Sequence, residues 1–296
     1  MKQLCSLSYL LVAALTGCGT GDGSHTSEIV DEEASFQFEI DLPNAGDEGF
    51  FCFGFDGEEL AGRSVRGFRW EPPEAAAIQL HHAILFAIRG PHPDGPTVCK
   101  ENPPNALGLH VWAPGGDQFE LPPDVGLHLP RDTQRFAVQA HMLRVAAGPP
   151  ATGRVTMLLH DREPEHTAFQ FQIGPFVPTI PPFETKSSTS LCRVEKPMRA
   201  VGAWPHMHLI GKEFRGEVIR PSGERSIVVL QKPWNFEDQR IVPLDLQLSP
   251  GDDLETTCVW ENPTPEPVIS GHLTTNEMCV LTYFAWPPEA AYCTPH

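Results

Sequence analysis

Short runs of β-branched and aromatic residues, separated by glycine and proline, constrain the fold of this chain more than any other feature. Four of these runs have the apolar pattern of β-strands: FAVQA from Phe136, VTMLLH from Val155, FQFQI from Phe169 and SIVVLQ from Ser226. The chain has 25 glycines and 31 prolines in 296 residues, well above the roughly 12% that these two types usually contribute. Long helical periods are scarce. We therefore predict an all-β protein made of antiparallel β-sandwiches.

The acidic composition limits the possible partners of the chain. Its formal net charge is −17 at pH 7, and no basic stripe interrupts the acidic character. Nucleic acid requires a basic surface for its phosphates, so this balance excludes a nucleic-acid-binding function. A high net charge also keeps a protein soluble, as expected for an exported protein.

The N-terminal stretch MKQLCSLSYLLVAALTGC has the pattern of an export signal. One lysine precedes an apolar core from Leu7 to Leu15, which is too short for a permanent transmembrane helix. The LTGC ending resembles a bacterial lipobox, in which the cysteine, here Cys18, is lipidated and becomes the mature N-terminus; plain secretory cleavage nearby is the alternative. We predict a signal peptide at 1–17, a flexible polar tether at 18–35, and a protein of the bacterial cell envelope, at the periplasmic face or the cell surface, that meets the membrane only through its lipid anchor.

Two tandem domains are predicted for the rest of the chain. Its length suits two domains of ordinary size, and a polar turn followed by a proline-rich stretch, from Asp161 to Glu184, is typical of a crossing segment. We place an N-terminal β-sandwich at 36–166 and a C-terminal one at 167–296.

Six cysteines remain after Cys5 and Cys18 are set aside with the signal and the lipid: Cys52, Cys99, Cys192, Cys258, Cys279 and Cys293. No C-x-x-C pair suggests zinc. An even number in an exported chain predicts three disulfides, although six cysteines allow fifteen pairings.

Histidines carry the chemical information. His206 and His208, in WPHMHLIGKEF, are two positions apart, so a regular strand directs both imidazoles to one face. That spacing suits a metal ion, and it also suits two polar residues on the wet face of a sheet. His81 and His82 open the apolar run HHAILF, where neighbours point to opposite faces. They can bind one ion only if the strand ends or bulges there, or if the rings use different nitrogens.

Two further positions complete the set. His141 ends the strand-like run AVQAH, and Met278 lies beside a cysteine in NEMC. A methionine in such a place is more often core filler than a ligand. The remaining eight histidines are assigned no role.

The order of these motifs resembles the copper type II, ascorbate-dependent monooxygenases, which include the peptidylglycine α-hydroxylating and dopamine β-monooxygenases. H-H, Q-x-H, H-x-H and E-M-C follow one another over nearly the whole mature chain. The stretches that carry the resemblance are FFCFG, HHAILF, VWAPGG, LPPDVGLHLP and VQAH in the first half and HMHLIGKEFRGEVIR, TTCVWENP and NEMC in the second.

The resemblance implies two copper ions, one on each of two jelly-roll-like sandwiches, separated by an open cleft. The electron-transfer copper would be held by three imidazoles of the N-terminal domain: His81, His82 and His141. The copper that binds O₂ and substrate would be held by His206, His208 and Met278. Imidazole suits both oxidation states of copper, whereas a thioether favours Cu(I). Gln139, of the Q-x-H motif, would have a supporting role.

The implied reaction is the hydroxylation of an unactivated C–H bond with O₂, after both coppers are reduced, usually by ascorbate. The resemblance also implies disulfides between Cys258 and Cys279 and between Cys192 and Cys293. The pair that remains is Cys52–Cys99.

The chain departs from the peptidylglycine enzyme at the positions that surround its substrate. That enzyme has a carboxylate-binding arginine two positions before H-x-H, and an asparagine and a tyrosine after E-M-C. Trp204, Val280 and Thr282 occupy these positions here. We therefore predict a small substrate that is apolar or aromatic rather than a peptidylglycine.

Two other classes of function remain open from the sequence. A copper-binding envelope lipoprotein, for storage or delivery without turnover, would keep the same ligands. Storage, however, does not require two chemically distinct sites. A zinc-bound structural or adhesion module would explain the histidines but not Met278.

Overall fold

The computed structural model describes residues 25–30, 32–41, 44, 46–73, 78–116 and 118–288, together with the backbone of 293–295. The predicted signal peptide and the predicted lipidation site, Cys18, lie outside these residues. No helix in the described part of the chain is long and apolar enough to cross a membrane.

The described residues form β-strands and one short 3₁₀ helix (Glu58–Leu60), so the predicted all-β class is confirmed. The strands of the first half are β1 (His25–Val30), β2 (Glu33–Ile40), β3 (Glu48–Asp56), β4 (Ser64–Glu71), β5 (Ile78–Ile88), β6 (Thr97–Val98), β7 (Ala106–Trp112), β8 (Gln118–Glu120), β9 (Val125–His128), β10 (Arg135–Arg144) and β11 (Ala151–Leu159). Those of the second half are β12 (His166–Ile173), β13 (Thr185–Val194), β14 (Met198–His206), β15 (Gly211–Ile219), β16 (Arg225–Gln231), β17 (Val242–Leu248), β18 (Asp253–Glu261), β19 (Val280–Trp286) and β20 (Cys293–Pro295). The four strand-like runs of the sequence lie in β10, β11, β12 and β16.

The strands form three sheets. A ten-stranded sheet has the order β1-β2-β11-β4-β9-β12-β19-β14-β17, with β8 paired to β4. Two five-stranded sheets have the orders β6-β3-β10-β5-β7 and β16-β15-β18-β13-β20. Strand β12 pairs in parallel with β9 and antiparallel with β19, so the large sheet runs through both halves. The boundary predicted at 166/167 falls at the start of this joining strand.

Apolar side chains separate into two main buried clusters that follow the two halves. The first contains Phe36 and Phe136, and the second contains Trp260 and Tyr283. Alternation along the strands produces this burial: every second residue of β2 faces inward. Trp204, from the second half, belongs to the first cluster. The halves are therefore packed together as well as joined through β12.

The tether predicted at 18–35 is not irregular throughout. Its residues 25–30 form β1, which pairs with β2 from His25↔Phe38 to Val30↔Glu33. Most of β1 is exposed, so its own sequence carries little apolar pattern. An edge strand forms because it hydrogen-bonds to a neighbouring strand. The sequence of the edge segment alone does not show which strand that neighbour is.

Candidate metal centre

A β-bulge brings the two adjacent histidines of β5 to the same place. Strand β10 pairs His141 with His82 and then Met142 with Leu80, which leaves His81 as an extra residue on β5. Two residues of one strand therefore oppose one residue of the next, and the local kink redirects a side chain. One ring nitrogen from each of His81, His82 and His141 lies within 4.8 Å of the others. Of the alternatives that would let adjacent histidines converge, the structure has the bulge.

The H-x-H pair lies where a strand ends. His206 is the last residue of β14 and pairs with Val280 of β19, whereas His208 lies in the turn that follows. The two ring centroids are 5.1 Å apart and the ring planes are nearly perpendicular, at 74°. Strand alternation therefore sets the direction of the His206 side chain, but not that of His208. The position of His208 depends on contacts from the segment before β19.

A buried carboxylate, Glu277, fixes that segment to the turn. Its Oε2 accepts hydrogen bonds from the backbone N–H of His208 (3.1 Å), the Trp260 indole N–H (3.0 Å) and the backbone N–H of Met278 (3.3 Å). Its Oε1 accepts the backbone N–H of Ile210 at 2.9 Å. The four hydrogen bonds lower the pKa of Glu277, but burial has the larger effect and raises this pKa to about 7. One side chain thus holds the backbone of His208 and that of the half-buried Met278.

The two histidine sets meet in one buried cluster. The ring centroid of His81 is 4.6 Å from that of His208 and 6.2 Å from that of His206. The His82 and His206 centroids are 6.4 Å apart. All five imidazoles are at most 9% exposed. The open cleft expected between the two sets is wrong for this structure. Sequence motifs identify these histidines but not how closely the two halves pack.

The segment between β16 and β17 helps to bring the halves together. The Nδ1–H of His206 donates to Gln239 Oε1 at 2.7 Å, and the backbone N–H of Gln239 donates to the carbonyl of Pro114, in the VWAPGG stretch of the first half, at 2.8 Å. Phe236 of the same segment packs against His81, with ring centroids 5.2 Å apart. Gln239 therefore orients one histidine while its backbone contacts the opposite half.

Hydrogen bonding leaves particular ring nitrogens free. Within this cluster of five histidines, three buried ring nitrogens have no hydrogen-bond partner among the described residues: His81 Nε2, His82 Nδ1 and His208 Nε2. His208 Nδ1 is occupied by the carbonyl of Asn276 at 3.0 Å. His141 Nε2 is occupied by Glu48 at 2.8 Å, and its Nδ1 lies 2.8 Å from His81 Nδ1. Buried nitrogens left without partners are costly unless they bind something. The donor set fits a metal ion that prefers imidazole.

The electrostatic environment keeps these imidazoles neutral. Burial lowers the pKa of all five, and repulsion from neighbouring histidines, including His272, lowers it further, whereas Glu48 acts in the opposite direction on the pKa of His141. The pKa of His208 falls to about 4. Neutral imidazole is the form that binds metal, so the cluster needs no proton loss near pH 7.

Gln139 lies on β10 beside this cluster but does not bond to its rings. Its side-chain NH₂ donates to the carbonyls of Cys99 at 2.9 Å and Glu101 at 3.1 Å. It therefore secures the segment after β6, and its supporting role at the metal centre stays a prediction.

Two of the three predicted disulfides lie within the described residues. The disulfides Cys52–Cys99 and Cys258–Cys279 are both present. Cys192 is itself disulfide-bonded. The side chain of Cys293, its predicted partner, lies outside the described residues. The Cys258–Cys279 bond adjoins Met278 and ties the start of β19 to β18.

Three residues that hold the histidines were not identified from the sequence: Glu48, Gln239 and Glu277. Glu277 is part of the NEMC motif, so its proximity to Met278 was a usable signal. Glu48 and Gln239 are ordinary polar residues far along the chain from the histidines they contact, and their surroundings in the sequence carry no signal.

The fold and the site together define a class: an all-β protein in which strands from two packed halves surround a buried centre of neutral histidines. This donor chemistry suits copper. Residues 171–295 match the model of a family described as copper type II ascorbate-dependent monooxygenase, C-terminal domain. This match covers most of the second half of the chain, which is therefore similar to that family's C-terminal domain.

Curated relatives extend the likeness to the first half. The chain is 26% identical over 249 residues to DBH-like monooxygenase protein 2 of Mus musculus, covering 74% of this chain and 40% of that protein. It is 25% identical over 235 residues to putative DBH-like monooxygenase protein 2 of Homo sapiens, covering 70% and 47%. The matches thus span less than half the length of these relatives. Among solved structures, PNGF-II has a TM-score of 0.29 at 8% identity, over 85% of this chain and 59% of that one, which is too weak to support an argument.

Proposed function

We propose that this protein is a dicopper monooxygenase that hydroxylates a C–H bond of a small organic substrate, with O₂ and an external reductant such as ascorbate. The observation that carries the proposal is the cluster of five buried, neutral imidazoles, three of them with a ring nitrogen free of hydrogen bonds, in a chain whose residues 171–295 match the C-terminal domain of the copper monooxygenase family.

The ligands proposed for the electron-transfer copper are His81, His82 and His141. Those proposed for the O₂- and substrate-binding copper are His206, His208 and Met278. When bound, copper supplies one-electron redox chemistry: two electrons from the reductant, two protons, O₂ and the substrate C–H bond give an alcohol and water.

The protein's own residues prepare the ligands. Gln239 accepts the Nδ1–H of His206, which leaves Nε2 of that ring free to bind. Asn276 does the same for His208. Glu277 holds the backbone of His208 and Met278 through one carboxylate, so the two proposed ligands are fixed relative to each other. Burial excludes water from the rings, which protects reactive species from side reactions.

We further propose that the substrate is apolar or aromatic. The Trp204 ring stacks on His206 with centroids 5.0 Å apart and 16° between the planes. Thr282 is the cross-strand neighbour of Trp204, and Val280 that of His206. No cationic side chain stands at these three positions to bind a carboxylate. Attachment to a bacterial envelope through lipid on Cys18 also stays a proposal.

Copper titration tests the ligand assignment. Metal-free protein should bind two copper ions per chain, and His81→Ala and His208→Ala should each lose about one. His128, which lies outside the cluster and pairs with Glu163, is a matched control, since His128→Ala should keep both. If His208→Ala still binds two ions, the second ligand set is misassigned.

Oxygen uptake separates the enzyme from a second candidate, a copper-binding protein without turnover. The deep burial of the imidazoles, each at most 9% exposed, favours this second candidate, because a storage site needs no substrate access. A panel of apolar and aromatic compounds should include at least one that raises O₂ consumption in the presence of ascorbate and yields a hydroxylated product. Stoichiometric copper binding with no such product across the panel would favour storage or delivery.

A further inference from the structure

A carboxylate of the first half contacts both halves of the metal centre at one oxygen atom. Glu48 opens β3, and its side chain is mostly buried. Its Oε1 accepts the Nε2–H of His141 at 2.8 Å. The same oxygen accepts the backbone N–H of Thr274 at 2.9 Å and the Thr274 hydroxyl at 2.7 Å. Three donors on one atom call for a charged acceptor.

Two contacts fix His141, one with Phe50 and one with Glu48. Phe50 lies flat on the His141 ring, with centroids 3.9 Å apart and 7° between the planes, which sets the plane of the ring. Glu48 accepts the Nε2–H of His141, which leaves Nδ1 as the unprotonated nitrogen, and this atom lies 2.8 Å from His81 Nδ1. A carboxylate on the far nitrogen of a metal-binding imidazole selects the tautomer and raises ligand basicity.

Thr274 belongs to the segment of the second half that leads to Met278. That segment is closed on itself, because the backbone N–H of Asn276 donates to the carbonyl of Leu273 at 2.9 Å. It continues into Glu277, which holds the backbone of His208. A hydrogen bond at Thr274 therefore anchors the segment from which Met278 is presented.

We propose that Glu48 is a positioning residue. It fixes the ring of His141 and, by its hydrogen bonds to Thr274, holds the segment that carries Met278 in place beside the first ligand set. This inference rests on the proposed function for its metal ligands. Through the Glu48–Thr274 contact, a change in the Met278 segment reaches His141 of the first ligand set.

The first test uses the metal-free full chain, so it does not depend on turnover. Nitrogen-15 NMR should find His141 in the Nε2–H tautomer in the wild type and in a mixture of both tautomers in Glu48→Ala. Exchange of the Thr274 amide hydrogen should be about tenfold faster in that variant, as expected for loss of a charge-assisted hydrogen bond. Glu48→Gln keeps an oxygen acceptor and should shift both readouts in the same direction by less, which provides a second variant if the alanine form does not fold.

The second test asks whether Thr274, in one half, alters a copper held in the other. Copper(II) is added to a His206→Ala/His208→Ala background, in which the first ligand set remains. Thr274→Val should change the electron paramagnetic resonance spectrum of this copper, Thr274→Ser should restore it, and the exposed neighbour Thr275→Val should leave it unaltered.

Each arm has an outcome that overturns the proposal. Unchanged His141 tautomer and Thr274 exchange in Glu48→Ala would show that the carboxylate positions neither group. A Thr274→Val copper spectrum identical to that of Thr275→Val would reduce the contact to an ordinary packing interaction. If both arms succeed while no substrate is hydroxylated, the positioning role stands and the proposed enzyme activity fails.

Discussion

Replacing Gln239 by leucine isolates the hydrogen bonds that orient His206. Gln239 is 1% exposed, accepts the His206 Nδ1–H at 2.7 Å and donates its NH₂ to the Phe236 carbonyl at 2.8 Å. Leucine has a similar volume but offers neither bond, so one buried donor and one buried acceptor lose their partners. Each costs about 1–3 kcal/mol, and we expect Gln239→Leu to destabilise the metal-free protein by about 3 kcal/mol.

Urea unfolding measures this loss. For a denaturant dependence of about 3 kcal/mol per molar, the midpoint should fall by about 1 M. Gln247 on β17 is exposed, so Gln247→Leu is the matched control and should change the free energy of unfolding by less than about 0.5 kcal/mol. Nitrogen-15 NMR of His206 should also report loss of the Nδ1–H tautomer.

Equal midpoints for the two leucine variants would refute this reasoning. The side-chain hydrogen bonds of Gln239 would then contribute nothing to the fold, and the tautomer of His206 would have to be set by something else. A fall in stability without a change of tautomer would keep the packing role of Gln239 and remove its role in preparing the ligand.

Four further outcomes are expected. Met278→Ile should cost under about 1.5 kcal/mol of stability, because the side chain nearly keeps its volume and polarity. In a copper titration, the variant should bind closer to one copper ion per chain than two. Unchanged copper affinity would exclude the thioether as a ligand. Cys258→Ala/Cys279→Ala, which opens a loop with a sequence separation of 21, should lower the free energy of unfolding by about 3 kcal/mol in denaturant titrations. Burial lowers the pKa of His110 to about 3, so between about 6.5 and 3 the unfolded chain binds a proton there that the native protein does not. Native stability should therefore fall with acidification by about 1.4 kcal/mol per pH unit from this residue, and His110→Gln, which keeps an acceptor for the Trp70 indole N–H, should remove that slope from pH-dependent unfolding curves. Cys18→Ser should move the protein from the membrane to the soluble fraction, since each buried methylene of an acyl chain contributes about 0.8 kcal/mol; an unchanged membrane fraction would rule out this anchor.

The sequence by itself determined the strands and the identity of the clustered histidines. A strand's alternation is a local property with a period of two residues, so runs such as FAVQA and SIVVLQ predicted β10 and β16 without reference to partners. For the same local reason, convergence of His81 and His82 called for a strand end, a bulge or different ring nitrogens, and the register of β10 shows a bulge. The disulfide Cys258–Cys279 followed from the resemblance to a family.

Tertiary structure alone decided how the ligand sets meet. Glu48 and Thr274 are 226 positions apart, and no period or motif relates them. The short distance between His81 and His208 depends on how β12 joins the halves and on the segment that carries Gln239. This short distance results from many side-chain contacts between segments that are far apart in the sequence. The sequence of one segment says little about which distant segment it will contact. A strand's pattern records which face is buried, but not what that face is buried against.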